Sequence, residues 1–250
     1  MSTLWESAKS NLSFLGVCLL VFLVLTGLAV LSERFLMKQR HSLGAARTIS
    51  FVAMFAAMAG VLMTLEIPLF FAPSFYKLDL SEIPVLICAF YLGPVSGVVC
   101  ELLKVVLKLL LKGTSSAFVG DFANFAVGCA FVLPASVLYQ GVKTKKGAVW
   151  ALACGTLVMT VFGSLFNAYY LIPKFAELYG MPLDAIVAAG AAINPAIKGV
   201  GTLVLFAVVP FNLLKGVVDS ALTFLLYKRV EKLFFRRRTG PSGAPRKAPE

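Results

Sequence analysis

The 250-residue sequence predicts an all-α integral membrane protein with a six-transmembrane-helix core and one extra transmembrane helix at its N-terminus. Three features carry this. Hydrophobic residues make up 59% of the chain and charged residues only 14%, whereas roughly half and roughly a quarter are usual in a soluble domain. Several stretches approach or exceed the roughly 18 to 20 apolar residues that cross a bilayer. The positive charges gather in short segments beside those stretches, where they orient a membrane protein.

The first span, about Leu12 to Leu31, is followed rather than preceded by its strongest positive charge, and no small-residue cleavage site closes it. It therefore reads as a retained helix, not a signal peptide. Ser32 to Arg47 is a basic linker. A second span runs from Thr48 to Ile67, ended by Pro68 and Pro73, which open a loop rich in Phe, Pro and Tyr. The third, Ile83 to Leu92, is too short to cross upright and meets the fourth at Gly93-Pro94. The fourth ends near Leu111, the fifth covers Phe118 to Tyr139, and the sixth covers Ala148 to Ile172, closed by Pro173. A small-residue connector, Lys174 to Lys198, leads into the last span, Val200 to Tyr227, with Pro210 in its middle. Residues 1–46 thus form a leading helix and linker, 47–230 a membrane domain, and 231–250 a basic tail expected to lack order.

The linker before Thr48, the turn Lys143 to Lys146 and the tail all carry excess Lys and Arg, so they belong in the cytoplasm. Six crossings from Thr48 satisfy all three at once. They place the N-terminus outside the plasma membrane and the C-terminus inside. The net charge of +11 is explained by this arrangement, and no nucleic-acid partner is expected.

Polar groups inside apolar spans are costly, so each is a candidate for function. Glu101 and Lys104 share a helical face and either neutralise each other or meet a substrate; Lys108 and Lys112 continue the stripe toward the outer end. Asp121 either caps the fifth span or faces a ligand, and Asn124 lies one turn deeper. Asn167 sits near the outer end of the sixth span beside Tyr169 and Tyr170. In the last span, Asn212 and Lys215 share a face just after Pro210, whose missing N–H frees a carbonyl. Asp219, four residues on, is a competing partner for Lys215. Ala53 and Ala57, with Ala56 and Gly60 offset, form small-residue faces that let helices approach closely.

The cysteines lie singly inside apolar spans and the lone histidine, His41, is in the linker, so neither a metal site nor a disulfide is expected. There is no phosphate-binding G-x-x-x-x-G-K-[ST] loop and no H-E-x-x-H or G-x-S-x-G motif. An enzyme is disfavoured, no cofactor is expected, and ATP-driven transport would need separate energising subunits.

The run Lys77-Leu78-Asp79-Leu80-Ser81-Glu82-Ile83-Pro84, followed by Leu92-Gly93-Pro94-Val95-Ser96-Gly97, resembles the substrate-binding S components of energy-coupling factor (ECF) transporters. Glu101-Leu102-Leu103-Lys104, Gly120-Asp121-Phe122-Ala123-Asn124-Phe125 and Val209-Pro210-Phe211-Asn212-Leu213-Leu214-Lys215-Gly216 resemble the riboflavin-type members. The similarity spans about Arg47 to Val230, and the helix before Arg47 departs from the usual six-helix plan. The resemblance implies riboflavin as transported substrate, bound near the outer face and covered by the loop after the first core helix. It implies that Asn167, Asn212 and Lys215 hold the flavin ring. It further implies that Ala53 and Ala57 dock on a membrane-embedded T component shared with two ATPase subunits. The chemistry is compatible: side-chain amides give and accept along a flavin's pyrimidine edge, and Lys215 offers donors. Phe75 and Tyr76 are expected to cover the ring, and Asp121, Asn124 and Lys77 to meet the ribityl hydroxyls. Alternatives are an S component for another vitamin or related flavin, or a stand-alone secondary transporter coupling ions through Glu101, Asp121 or Asp219.

Overall fold

The computed structural model describes residues 2–36, 45–69, 76–114 and 118–235. Phe75, residues 37–44 of the basic linker and residues 236–250 of the tail lie outside the described residues. The chain is a bundle of helices: α1 (Ser2–Leu36), α2 (Ala46–Thr64), α3 (Glu82–Leu92), α4 (Pro94–Lys112), α5 (Val119–Val142), α6 (Lys145–Phe166), α7 (Ile172–Tyr179), α8 (Leu183–Ala191), α9 (Val200–Leu203) and α10 (Val209–Val230). A two-residue strand pair, β1 (Ile67–Pro68) with β2 (Lys77–Leu78), runs antiparallel with Ile67 opposite Leu78.

Among the described residues, five helical stretches are long and apolar enough to cross a membrane: Gly16–Phe35, Ala46–Thr64, Val119–Val142, Lys145–Glu177 and Val200–Leu233. The expected core of six plus one is therefore not met by length and apolarity alone. α3 has 11 residues, and α4 is long enough but carries Glu101, Lys104, Lys108 and Lys112. Both are explained by burial. α3 is apolar on nearly every side because other helices sheathe it. The charged stripe of α4 turns inward, with Glu101, Lys104 and Lys108 all buried. Conversely, Trp150, Leu157 and Val161 on α6 are exposed, as a lipid-facing surface requires.

Pro173 does not end the sixth span, as the sequence predicts; the helix runs on through it into α7. The reason is a π-helical turn, Asn167–Leu171, placed just before the proline. A proline lacks its N–H and its ring crowds the carbonyl four residues back, and a widened turn relieves that clash without stopping the helix. A second π-helical turn, Val204–Val208, precedes Pro210 in the same way. Both widened turns lie beside polar residues that face the same cavity.

The packing is organised around α3, α4 and α5. Phe55, Leu86, Phe90 and Phe131 form the central apolar cluster, and the Phe90 and Tyr139 rings stack with centroids 4.2 Å apart. Without a hydrophobic driving force between helices in lipid, this close packing supplies much of the association energy. Toward the end of the bundle where α5 begins, and where the helices containing α6 and α10 carry their widened turns, the segment from β2 to α3 lies against α10.

Candidate substrate-binding site

A cavity of about 120 Å³ opens at that end. Its polar lining comes from Tyr76, Lys77, Asp79 and Glu82 on the entering segment, Asn124 on α5, Asn167 after α6, and Asn212 and Lys215 on α10. Apolar walls come from Val127, Met159, Leu171, Phe175 and Phe211. The Tyr76 and Phe211 rings lie 5.3 Å apart at the apolar side.

Asn167 is buried at the first position of the widened turn. Its Nδ2 donates to the Gly163 carbonyl at 2.7 Å, and its Oδ1 accepts from the Tyr76 hydroxyl at 2.6 Å. Asn212 is 4% exposed and its Nδ2 has no hydrogen-bond partner among the described residues. Such a donor costs about 1–3 kcal/mol when left unmet. Glycine at residue 163 lets the amide lie close against α6: a Cβ there would stand 2.9 Å from Asn212 Nδ2.

Lys215 donates to the Asp79 backbone carbonyl at 3.0 Å and pairs with the Asp79 carboxylate at 3.2 Å. Asp219, the partner suggested by helical spacing, is farther off at 3.6 Å. Asp79 also accepts from the Ser81 backbone N–H at 2.9 Å and from the Ser81 hydroxyl, which fixes the turn into α3. Burial alone would raise the Asp79 pKa, but the Lys215 and Lys104 charges and the Ser81 bonds outweigh it, and the carboxyl is held below its ordinary value.

Below the cavity floor, Lys104 is fully buried and pairs with Glu82 at 2.8 Å and with Glu101. Of the two sequence readings for Glu101 and Lys104, the structure takes mutual neutralisation, with Glu82 as a third member. Glu101 and Lys104 do not line the cavity.

Asn124, Asn167, Asn212, Lys215, Tyr76 and Lys77 are thus brought together on one cavity. Asn124 spends an amide N–H on the Gly120 carbonyl at 3.1 Å, and Lys77 is turned to Glu66 at the rim, 2.6 Å away. Lys112 reaches the same Glu66 at 2.9 Å. Burial would raise the Glu66 pKa, yet these two ammonium groups leave it lowered. Asp121 is not in the lining. It pairs with Lys108 at 2.6 Å and accepts from the Thr114 hydroxyl at 2.6 Å. Nor does it cap α5, whose N-cap is Phe118 in a left-handed conformation with φ 71° and no side-chain cap. Asp79 and Glu82 are cavity residues that sequence reasoning did not single out; the signal was an acidic pair flanking a span too short to cross.

Ala53 and Ala57 are exposed on α2, whereas Ala56 and Gly60, offset from them around the helix, are buried. The small-residue pattern therefore marks two surfaces, one facing out and one packed within the bundle.

Residues 47–227 match the family model described as ECF transporter, substrate-specific component. The chain is similar to riboflavin transporter FmnP of Bacillus subtilis, at 30% identity over 75% of this chain and 94% of that protein. It is also similar to riboflavin transporter RibU of Staphylococcus aureus, at 32% identity over 74% of this chain and 90% of that one. A solved S component of a bacterial ECF transporter superposes with a TM-score of 0.59 and 32% identity, covering 76% of this chain and 98% of the other. These relatives are transport components and not enzymes, and with the family match over residues 47–227 and five apolar helical stretches among the described residues, the chain is a multi-pass membrane protein belonging to the family of ECF transporter substrate-specific components.

Proposed function

We propose that this chain captures riboflavin at the outer face of the plasma membrane and hands it inward as part of an ATP-driven ECF importer. The observation that carries the reading is the convergence of Asn167, Asn212 and Lys215 on one cavity, with the Asn212 amide donor unmet. A flavin's pyrimidine edge alternates donors and acceptors, which two amides and an ammonium complement. Tyr76 and Phe211 offer aromatic surface to the ring system.

The cavity of about 120 Å³ is smaller than the roughly 300–1,000 Å³ typical of pockets that hold drug-sized ligands. Entry of a flavin therefore displaces groups that now fill the site. The Tyr76 hydroxyl leaves Asn167 and the Asp79 segment moves off Lys215, so that ligand atoms replace protein partners on the same amide and ammonium. Binding is thereby coupled to the position of the segment joining α2 to α3.

Transfer across the membrane depends on partners: a membrane-embedded T component seated on the exposed Ala53 and Ala57 face, and two ATPase subunits. Small side chains there permit the close helix approach that packing in lipid rewards. The positive charge of the linker, the Lys143 to Lys146 turn and the tail supports a cytoplasmic position for these segments, with the N-terminus outside.

The test is to purify the chain in detergent from riboflavin-fed cells and record its visible spectrum. A flavin band that survives purification and disappears in Asn212→Ala and Lys215→Ala supports the substrate and the site. No band, and no binding on titrating riboflavin into folded ligand-free protein, overturns the riboflavin assignment and turns the search to a panel of other vitamins. Uptake that requires the co-expressed T component and ATPases tests the second half of the proposal.

A further inference from the structure

The family match begins at residue 47 and leaves α1 unassigned, yet α1 is seated on the core. Its carboxyl-terminal end carries Glu33, whose Oε1 accepts from the Val95 backbone N–H at 3.0 Å, in the first turn of α4. The free N–H groups and positive dipole end of α4 favour a carboxylate there. Residue 93 leaves room for it. Gly93 has φ +101°, which disfavours other residues, and a Cβ at this position would stand 2.7 Å from Glu33 Oε1. Farther along α1, Ala29 has no exposed surface, and the Phe22 ring meets Phe125 of α5 with centroids 6.0 Å apart. The opposite face of α1, with Leu20, Leu23 and Leu31, is exposed and apolar, as lipid contact requires.

We infer that α1 is a permanently docked wall of the binding unit, locked in register by Glu33 and supporting the cavity through Phe22. Phe125 follows Asn124 directly, so the helix face that meets α1 lies next to the one that meets the cavity. Phe122, in the same apolar cluster as Phe22, packs edge-on against Phe166, the residue before Asn167. α1 thus braces α5, which presents Asn124, directly, and the helix that presents Asn167 through Phe122 and Phe166. It also occupies the outer face of α4 and α5, which leaves partner docking to other faces, Ala53 and Ala57 among them.

Lipid supplies no hydrophobic drive for a helix to stay, so docking rests on packing and on the Glu33 contact at its end. A protease site inserted in the 37–44 linker of the full chain tests this directly. After cleavage in detergent, the α1 fragment is expected to co-elute with the core, to be lost in Glu33→Ala and to be retained in Glu33→Gln, which keeps the acceptor. In uncut protein, Phe22→Ala is expected to weaken riboflavin binding about three- to tenfold, while Leu20→Ala on the lipid face leaves it unchanged. Separation of the fragment from the cleaved wild-type core overturns the docking. Equal affinity in Phe22→Ala and Leu20→Ala overturns the support role. The affinity measurement rests on the riboflavin reading, but co-elution does not: if the wild-type chain binds no riboflavin while the fragment still co-elutes, the substrate assignment fails and the docked helix stands.

Discussion

The Lys215 ammonium lies 3.0 Å from the backbone carbonyl of Asp79 and 3.2 Å from its carboxylate, so one side chain of α10 holds down the segment that leads into α3. The same ammonium lines the cavity, so a ligand that takes its protons competes with the segment for it.

The Asp79 contact sets a pH signature. A carboxyl whose folded pKa is depressed contributes stability that is complete above its unfolded value and fades as pH falls toward the folded one. Asp79 is held below its ordinary 3.8, so closure of the segment is expected to be constant from pH 8 down to about pH 5 and to weaken only in stronger acid. Hydrogen exchange of the Lys77 to Leu80 amides across this range measures it. A transition centred near neutrality would show that another group controls the segment. In Asp79→Asn the acid-dependent step is expected to vanish, with exchange faster at all pH values.

Tyr76→Phe isolates the second contact. It removes the hydroxyl that occupies Asn167 Oδ1 but keeps the ring against Phe211. The ligand-free protein loses a hydrogen bond of about 1 kcal/mol, whereas in the proposed binding mode the bound state has already given it up, so riboflavin affinity is expected to rise by up to about fivefold. Tyr76→Ala also loses the aromatic cover and is expected to bind more weakly than wild type. Titration by quenching of flavin fluorescence compares the two, and weaker binding in Tyr76→Phe would mean that the hydroxyl itself meets the ligand.

Much of this was legible in the sequence because a bilayer makes polar side chains conspicuous. Asn167, Asn212 and Lys215 stand out in apolar runs, and the structure puts all three on one cavity. Asp79 and Glu82 were less visible because they lie at the edge of a short span, where acids usually face water. Their partners are distant in sequence: Lys215 for one and Lys104 for the other. Asp121 looked like a cap or a ligand group, and only the turn between α4 and α5 brings Lys108 to it. Pro173 read as a stop because proline usually is one; the widened turn that lets it pass leaves no periodic mark.

Lys104 is predicted to be needed for folding only as the counter-ion of Glu82 and Glu101. Lys104→Met leaves Glu82 and Glu101 facing each other without a counter-ion in a fully buried position. Removing one partner of a buried ion pair costs roughly 3–5 kcal/mol, whereas replacing the whole set by neutral groups is often tolerated. Lys104→Met alone is expected to collapse the yield of monodisperse protein, and the triple variant with Glu82→Gln and Glu101→Gln to restore it. Size-exclusion profiles and thermal unfolding in detergent report both. A triple variant no better than the single one would show that Lys104 is needed for more than neutralisation.

The two small-residue faces of α2 make opposite predictions for the same substitution. Ala56 is fully buried within the bundle, so Ala56→Leu overfills the core, at a cost of about 1–3 kcal/mol, and is expected to lower the unfolding temperature of the isolated chain. Ala53 and Ala57 face outward, so Ala53→Leu and Ala57→Leu add bulk on an exposed surface rather than in the core. The isolated variants are expected to unfold at the wild-type temperature, yet to lose co-purification with the T component and riboflavin uptake in cells. Thermal unfolding beside a pull-down of the assembled transporter separates the two effects. Normal assembly by Ala53→Leu and Ala57→Leu together would move the docking surface off this face of α2, leaving its exposed alanines as lipid contacts.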